Sequence, residues 1–107
     1  MSENDFIPSI ENAELPEESM KPVNVVGQTV LLAKHGGQVF GVSNKCPHMG
    51  CSLGNGRLKD FIVTCPCHGW SFDIRTGLYE YNKAIALETF ECKVENGKIY
   101  IKILGDM

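Results

Sequence analysis

The chain has 107 residues, 43% of them hydrophobic, a formal net charge of -3 and five cysteines. That length holds one modest core and leaves no room for a second catalytic domain, so residues 1–107 are expected to form a single domain. The bases are scattered singly, unlike a nucleic-acid footprint, and neither an apolar run of about eighteen residues nor a secretory signal is present, so a cytoplasmic protein without a membrane anchor is expected.

Residues 1–20 form an acidic N-terminal segment: Glu3, Asp5, Glu11, Glu14, Glu17 and Glu18 supply six acids against no base. It reads as a solvated, partly mobile arm, with a docking surface for a basic partner as the alternative. Within it, residues 11–18 can form at most one turn of helix. After the polar entry Pro16 to Pro22, Val23–Val26 and Thr29–Ala33 read as two short strands joined around Gly27. His35-Gly36-Gly37-Gln38 is the turn of a hairpin between Val30-Leu31-Leu32 and Val39-Phe40-Gly41-Val42.

Leu53 to Leu58 is a glycine-rich return, Phe61–Thr64 a short strand, and Trp70–Ile74 another, closed by the turn Arg75-Thr76-Gly77. Phe90, Cys92 and Val94 alternate with polar neighbours, Asn96-Gly97 marks a type I′ turn, and Ile99, Ile101 and Ile103 alternate again, which is a terminal hairpin. No segment of helical length carries a 3.6-residue period. The class is all-β, with roughly eight to ten short strands in stacked small antiparallel sheets or a partly open barrel.

Two cysteine-histidine pairs interrupt this pattern: Cys46-Pro47-His48, which follows the first hairpin, and Cys65-Pro66-Cys67-His68, which follows the Phe61–Thr64 strand. A 2Fe-2S cluster held by two thiolates on one iron and two imidazoles on the other needs two such loops, each donating one Cys and one His. Loop one offers Cys46 and His48, loop two Cys65 and His68. Imidazole in place of two thiolates removes two negative charges and favours the reduced state, so such centres span roughly -150 to +300 mV against about -400 mV for all-cysteine plant-type ferredoxins. Pro47, Pro66, Gly50, Gly54 and Gly69 suit tight loops around a cluster. Zinc also accepts two Cys and two His, but Cys-x-His followed by Cys-x-x-His is unlike zinc-finger spacing.

With these motifs in place, the chain from Phe6-Ile7-Pro8 to the last hairpin resembles a Rieske-type ferredoxin. The resemblance implies that Cys46 and Cys65 bind the buried iron, that His48 and His68 bind the solvent-facing iron, and that the latter is the electron exit. It also bears on Cys51 and Cys67, one extra cysteine in each loop. Rieske proteins of cytochrome bc complexes link those positions by a disulfide, which many bacterial Rieske ferredoxins lack. A Cys51–Cys67 disulfide is therefore expected here, and with it a departure from the ferredoxin pattern. His68-Gly69-Trp70 followed by Phe72 is similar instead to the Rieske domain of ring-hydroxylating oxygenases. Those enzymes need a large mononuclear iron domain for which this chain has no room.

Of the remaining candidates, His35 reads as a solvent-facing turn residue rather than a fifth ligand, and Cys92 as a buried core thiol. Trp70 is expected to cover the cluster from water, with Tyr79 and Tyr81 packed beside the loops. The function implied is a monomeric one-electron carrier with one 2Fe-2S cluster, no catalytic residue and no substrate of its own. Its implied partners are a flavin-containing reductase and a terminal oxygenase or other redox enzyme. The alternative is a small subunit of a larger oxidoreductase, such as nitrite reductase, arsenite oxidase or a cytochrome bc complex.

Overall fold

In the computed structural model, residues 6–25, 27–45, 51–67, 69–82 and 84–102 are described. They form ten strands: β1 Phe6–Glu11, β2 Ser19–Val25, β3 Gln28–His35, β4 Gln38–Ser43, β5 Arg57–Lys59, β6 Ile62–Thr64, β7 Ser71–Asp73, β8 Thr89–Phe90, β9 Cys92–Glu95 and β10 Lys98–Lys102. Three antiparallel sheets result, in the orders β1-β10-β9, β2-β3-β4-β8 and β5-β6-β7. The only helical segments among the described residues are single 3-10 turns at Asn12–Glu14 and Leu53–Asn55.

Strand β3 divides the interior. Successive side chains of a strand point to opposite faces, and here Val30 and Leu32 join one core with Leu15, Val25, Phe90, Ile99 and Ile101. Leu31 and Ala33 join the other, with Val42, Leu53, Val63, Cys65, Phe72, Ile74 and Leu87. Burial on both faces explains why Val30-Leu31-Leu32-Ala33 is a continuous apolar run and not an alternating one. The second core brings Leu31 and Ala33 of β3 against Val63 of β6 and Phe72 of β7, and Cys65, which follows β6, belongs to it.

Over residues 6–20 the structure corrects the reading of the acidic segment as a mobile arm. Phe6, Ile7 and Pro8 pair with Lys102, Ile101 and Tyr100 of β10, and Ser9 Oγ donates to Ile99 O at 2.8 Å. Leu15 is only 1% exposed, and Ile7 and Ile10 pack against the same core. Glu11 and Glu14 fall between Ile10 and Leu15, so charge counted over the whole segment hid an apolar set that packs on the core. Polar composition also concealed the start of β2, which begins at Ser19 rather than Val23. Pro8 and Pro22 are both tolerated because β1 and β2 are edge strands, where a missing N–H breaks no ladder on the open side.

Both hairpin turns are as read from sequence. His35 pairs with Gln38 around Gly36 and Gly37, and Glu95 with Lys98 around Asn96 (φ 54°) and Gly97 (φ 77°), the two positive values that a type I′ turn requires. Strand β7 is shorter than the Trp70–Ile74 span, because only Ser71–Asp73 pair with β6. Val94 is half-exposed on edge strand β9, and Ile103 lies outside the described residues.

Candidate metal centre

Strand β6 delivers Cys65 at its end, buried to 2% exposure. The loop that follows closes on itself: Cys65 N donates to Trp70 O at 2.7 Å, and Gly69 N to Cys65 O at 3.1 Å. Gly69 sits at φ 73°, a left-handed conformation that favours glycine. His68 falls inside this loop but outside the described residues, as do Cys46 and His48.

The base of loop one is described, and Asn44 ties it. Its Oδ1 accepts from Gly54 N at 2.9 Å, its Nδ2 donates to Ser52 Oγ at 2.8 Å, and its carbonyl accepts from Leu53 N at 2.7 Å. With the Lys45–Ser52 bridge, these bonds hold the two ends of the 46–51 segment side by side. Sequence reasoning passed over Asn44; its signal was an Asn leaving a strand just before a metal-loop cysteine, where a short amide can bond neighbouring backbone. Gly56 was likewise missed. A side chain there would collide with Thr64 O, the carbonyl just before Cys65, so only glycine lets β5 approach β6 at this point.

Cys51 and Cys67 are joined by a disulfide across a Cα–Cα distance of 6.5 Å, as expected. It fastens loop one to loop two, and the sulfurs of Cys51, Cys65 and Cys67 all lie within 4.8 Å of one another. An aromatic tier flanks the second loop: the rings of Trp70 and Tyr79 stack at 4.3 Å and 11°, with buried Phe72 5.5 Å from Tyr79. Tyr79 therefore packs as expected, whereas Tyr81 is 80% exposed and touches the tier only through an edge contact with Tyr79 at 5.9 Å. Ser71 pairs with Thr64 on the strand face opposite that of Phe72, which leaves Phe72 in the core without a hydroxyl to offer.

His35 and Cys92 lie away from this centre. His35 is not solvent-facing: its ring is about four-fifths buried at the end of β3 and meets Phe61 edge-on at 4.5 Å. Nδ1 is 3.4 Å from Glu18 Oε2, and Nε2 is 4.0 Å from Asp60 Oδ1. Asp60 occupies the β5–β6 turn, at the opposite end of that hairpin from Cys65, so His35 braces the far end of that sheet against the end of β3. Next to it, Glu17 accepts from Gly36 N and Gly37 N at 2.5 and 3.0 Å, and these two N–H groups hold its carboxyl below the ordinary value. Cys92 packs against the first core, and burial, with Glu91 adding, pushes its thiol up to about 12. It is a structural thiol.

The described residues fit a cluster site: one buried thiol at a strand end faces a second loop, pinned at its base and clamped by a disulfide. The model of the Rieske [2Fe-2S] domain matches residues 5–91 of this chain. This chain belongs to the Rieske [2Fe-2S] domain family. Among Rieske proteins it is 32% identical over 105 residues to the 3-phenylpropionate/cinnamic acid dioxygenase ferredoxin subunit of Photorhabdus laumondii, a match spanning 92% of each. It is 36% identical over 90 residues to Apoptosis-inducing factor 3 of Homo sapiens, covering 83% of this chain but only 15% of that protein. It also superposes with a TM-score of 0.84 and 25% identity on a chain in the complex of reduced oxygenase and oxidized ferredoxin in carbazole 1,9a-dioxygenase, covering 92% of this chain and 93% of the other. Family membership carries a 2Fe-2S cluster with it. Among the described residues no helix is long and apolar enough to cross a membrane.

Proposed function

We propose that this Rieske protein is a one-electron carrier that takes electrons from a flavin-containing reductase and passes them to a terminal oxygenase. The observation that carries the reading is the match to a dioxygenase ferredoxin subunit over 92% of both chains, which makes nearly the whole length similar to a protein of that name. In this proposal Cys46 and Cys65 hold one iron, and His48 and His68 hold the other. When bound, the cluster supplies a site that gains or loses one electron. The chain's own residues position it: Asn44 and Gly56 set the loop bases, Cys51–Cys67 fastens one loop to the other, and Trp70 stacked on Tyr79 covers the second loop. The proposal includes a single domain over residues 1–107, a monomeric state and a cytoplasmic location.

Iron and acid-labile sulfide analysis is expected to give about two of each per chain. The photoreduced protein is expected to reoxidise on mixing with an oxidised Rieske oxygenase. Stoichiometric zinc without sulfide would end the reading.

A second reading, a domain or small subunit of a larger oxidoreductase, is favoured by the human relative, in which the matched region is 15% of the length. Purification from the native cell separates the two. A chain that elutes alone supports the free carrier, and obligate co-purification with a large subunit supports the alternative.

A further inference from the structure

An unbroken row of oxidisable rings leads away from the second metal loop. Trp70 closes that loop, its carbonyl accepting from Cys65 N at 2.7 Å. Its indole stacks on Tyr79 with ring centroids 4.3 Å apart and planes 11° apart, and Tyr79 meets Tyr81 edge-on at 5.9 Å. The backbone holds the middle of the row, since Tyr79 bridges to Phe72 and its N–H donates to Ile85 O at 2.9 Å. The row ends at Tyr81, a large aromatic side chain left 80% exposed to water.

We propose that Trp70, Tyr79 and Tyr81 carry oxidising equivalents from the metal loops to the surface and so protect the loops from strong one-electron oxidants, the class that peroxide forms with reduced iron. Trp70 gives one electron to the oxidant. Tyr79 returns one to Trp70, and Tyr81 returns one to Tyr79, which passes the charge on without net loss of its own proton. Tyr81 releases its phenolic proton to water and is left as a neutral phenoxyl radical. A soluble thiol then donates one hydrogen atom to Tyr81 and restores the phenol. The oxidant has gained one electron, water has gained one proton, the thiol has become a thiyl radical, and the three rings are unchanged.

Ring chemistry and burial set the direction. Electron transfer weakens steeply with separation, and both steps of the row join rings at ordinary aromatic contact distances. Phe72 lies 6.4 Å from Trp70 and 5.5 Å from Tyr79 and is fully buried, but a benzene ring with neither hydroxyl nor indole nitrogen holds its electrons too tightly for the same oxidant to take one. The charge therefore does not turn into the core there, and the Cys92 thiol belongs to the other core. At the outer end, water around Tyr81 accepts the phenolic proton, and the loss of that proton holds the radical at the surface. The row takes no part in the carrier's own electron transfer, because Rieske potentials lie far below those that oxidise an indole or a phenol. The proposal is thus independent of which partners the carrier serves.

The iron-loaded full chain, reduced and then given peroxide in the presence of a nitrone spin trap, provides the test. Trapped and oxidised residues are mapped by mass spectrometry, and visible absorbance establishes equal loading of every variant before peroxide is added. Wild type is expected to carry the adduct on Tyr81 with Trp70 unmodified, and to lose the adduct when glutathione is present. Tyr79→Phe keeps the stacked ring and removes only the hydroxyl that makes it oxidisable; it is expected to lose the Tyr81 adduct and to gain oxidised Trp70. Tyr81→Phe is expected to accumulate oxidised Tyr79 and Trp70 and to bleach faster than wild type over repeated additions of peroxide. A Tyr81 adduct undiminished in Tyr79→Phe would overturn the proposal, because radicals would then have reached Tyr81 from solution. The same adduct in protein stripped of iron would overturn it for the same reason. Wild type with no adduct on any of the three rings, or bleaching at the same rate as Tyr81→Phe, would also overturn it.

Discussion

Gly56→Ala probes how closely the strand beside the metal loop is packed. Gly56 closes the 3-10 turn after loop one, its N–H donates to Leu53 O at 2.9 Å, and Arg57 beside it pairs with Thr64. A Cβ at Gly56 would overlap Thr64 O and come within 3.2 Å of Pro66 Cδ. Neither neighbour is the end of a flexible side chain, so β6 must retreat by about 1 Å or more, a distortion in the class of overpacking that costs roughly 1–3 kcal/mol or above. Taking about 3 kcal/mol, and roughly 4–8 °C per kcal/mol for a domain near this size, Tm falls by at least about 12 °C. Because the retreat begins one residue before Cys65, cluster content is expected to fall as well. Gly97→Ala is the control: at φ 77° with no atom within 4 Å of its added Cβ, it carries only left-handed strain, about 1–2 kcal/mol, with the cluster intact. Calorimetry and the visible absorbance of the two purified variants decide the matter. A Gly56→Ala protein no less stable than Gly97→Ala and fully loaded would refute the packing argument.

Four further outcomes are expected. Leu15→Ala, which removes a side chain that is 1% exposed, lowers stability by about 3 kcal/mol in urea denaturation, whereas a mobile arm would leave it unchanged. Glu17 has a lowered pKa in the folded chain, so its contribution is present above about pH 4.3, the ordinary value for Glu, and is lost as the pH falls through the folded value; the stability gap between wild type and Glu17→Gln is therefore expected to close on acidification. His48→Ala and His68→Ala are expected to lose the Rieske absorbance and paramagnetic resonance spectrum, while His35→Ala keeps it; a normal spectrum in either ligand variant would refute the assignment. Protein-film voltammetry is expected to give roughly -150 to +100 mV, the lower half of the Rieske range, because Phe72 is buried without a donor and Trp70 stacks on Tyr79 where cytochrome bc Rieske proteins carry Tyr and Ser; Trp70→Ser combined with Phe72→Tyr raises the potential if the cluster still assembles.

The sequence by itself determined the cofactor and much of the strand pattern. Ligand chemistry is local: a Cys-x-His and a Cys-x-x-His, each following a strand in the sequence pattern, raise the expectation of a mixed thiolate–imidazole centre from residue type and spacing alone. Turns are local too, so Gly36-Gly37 and Asn96-Gly97 were legible from residue type alone. The tertiary structure decided what depends on neighbours far along the chain. Segment 6–20 is part of the fold because β10, some ninety residues later, offers it an edge, and no window of composition contains that partner. His35 is a brace because Phe61 and Asp60 come to it from another sheet, and alone it is only a histidine beside two glycines. Gly56 matters through Thr64 O, and Asn44 through the far side of loop one. The first two contacts join residues far apart in sequence and the last two cross only eight to ten residues, but in each a backbone carbonyl, an amide or a ring face acts on its neighbour only once folding has brought the two within a few ångströms.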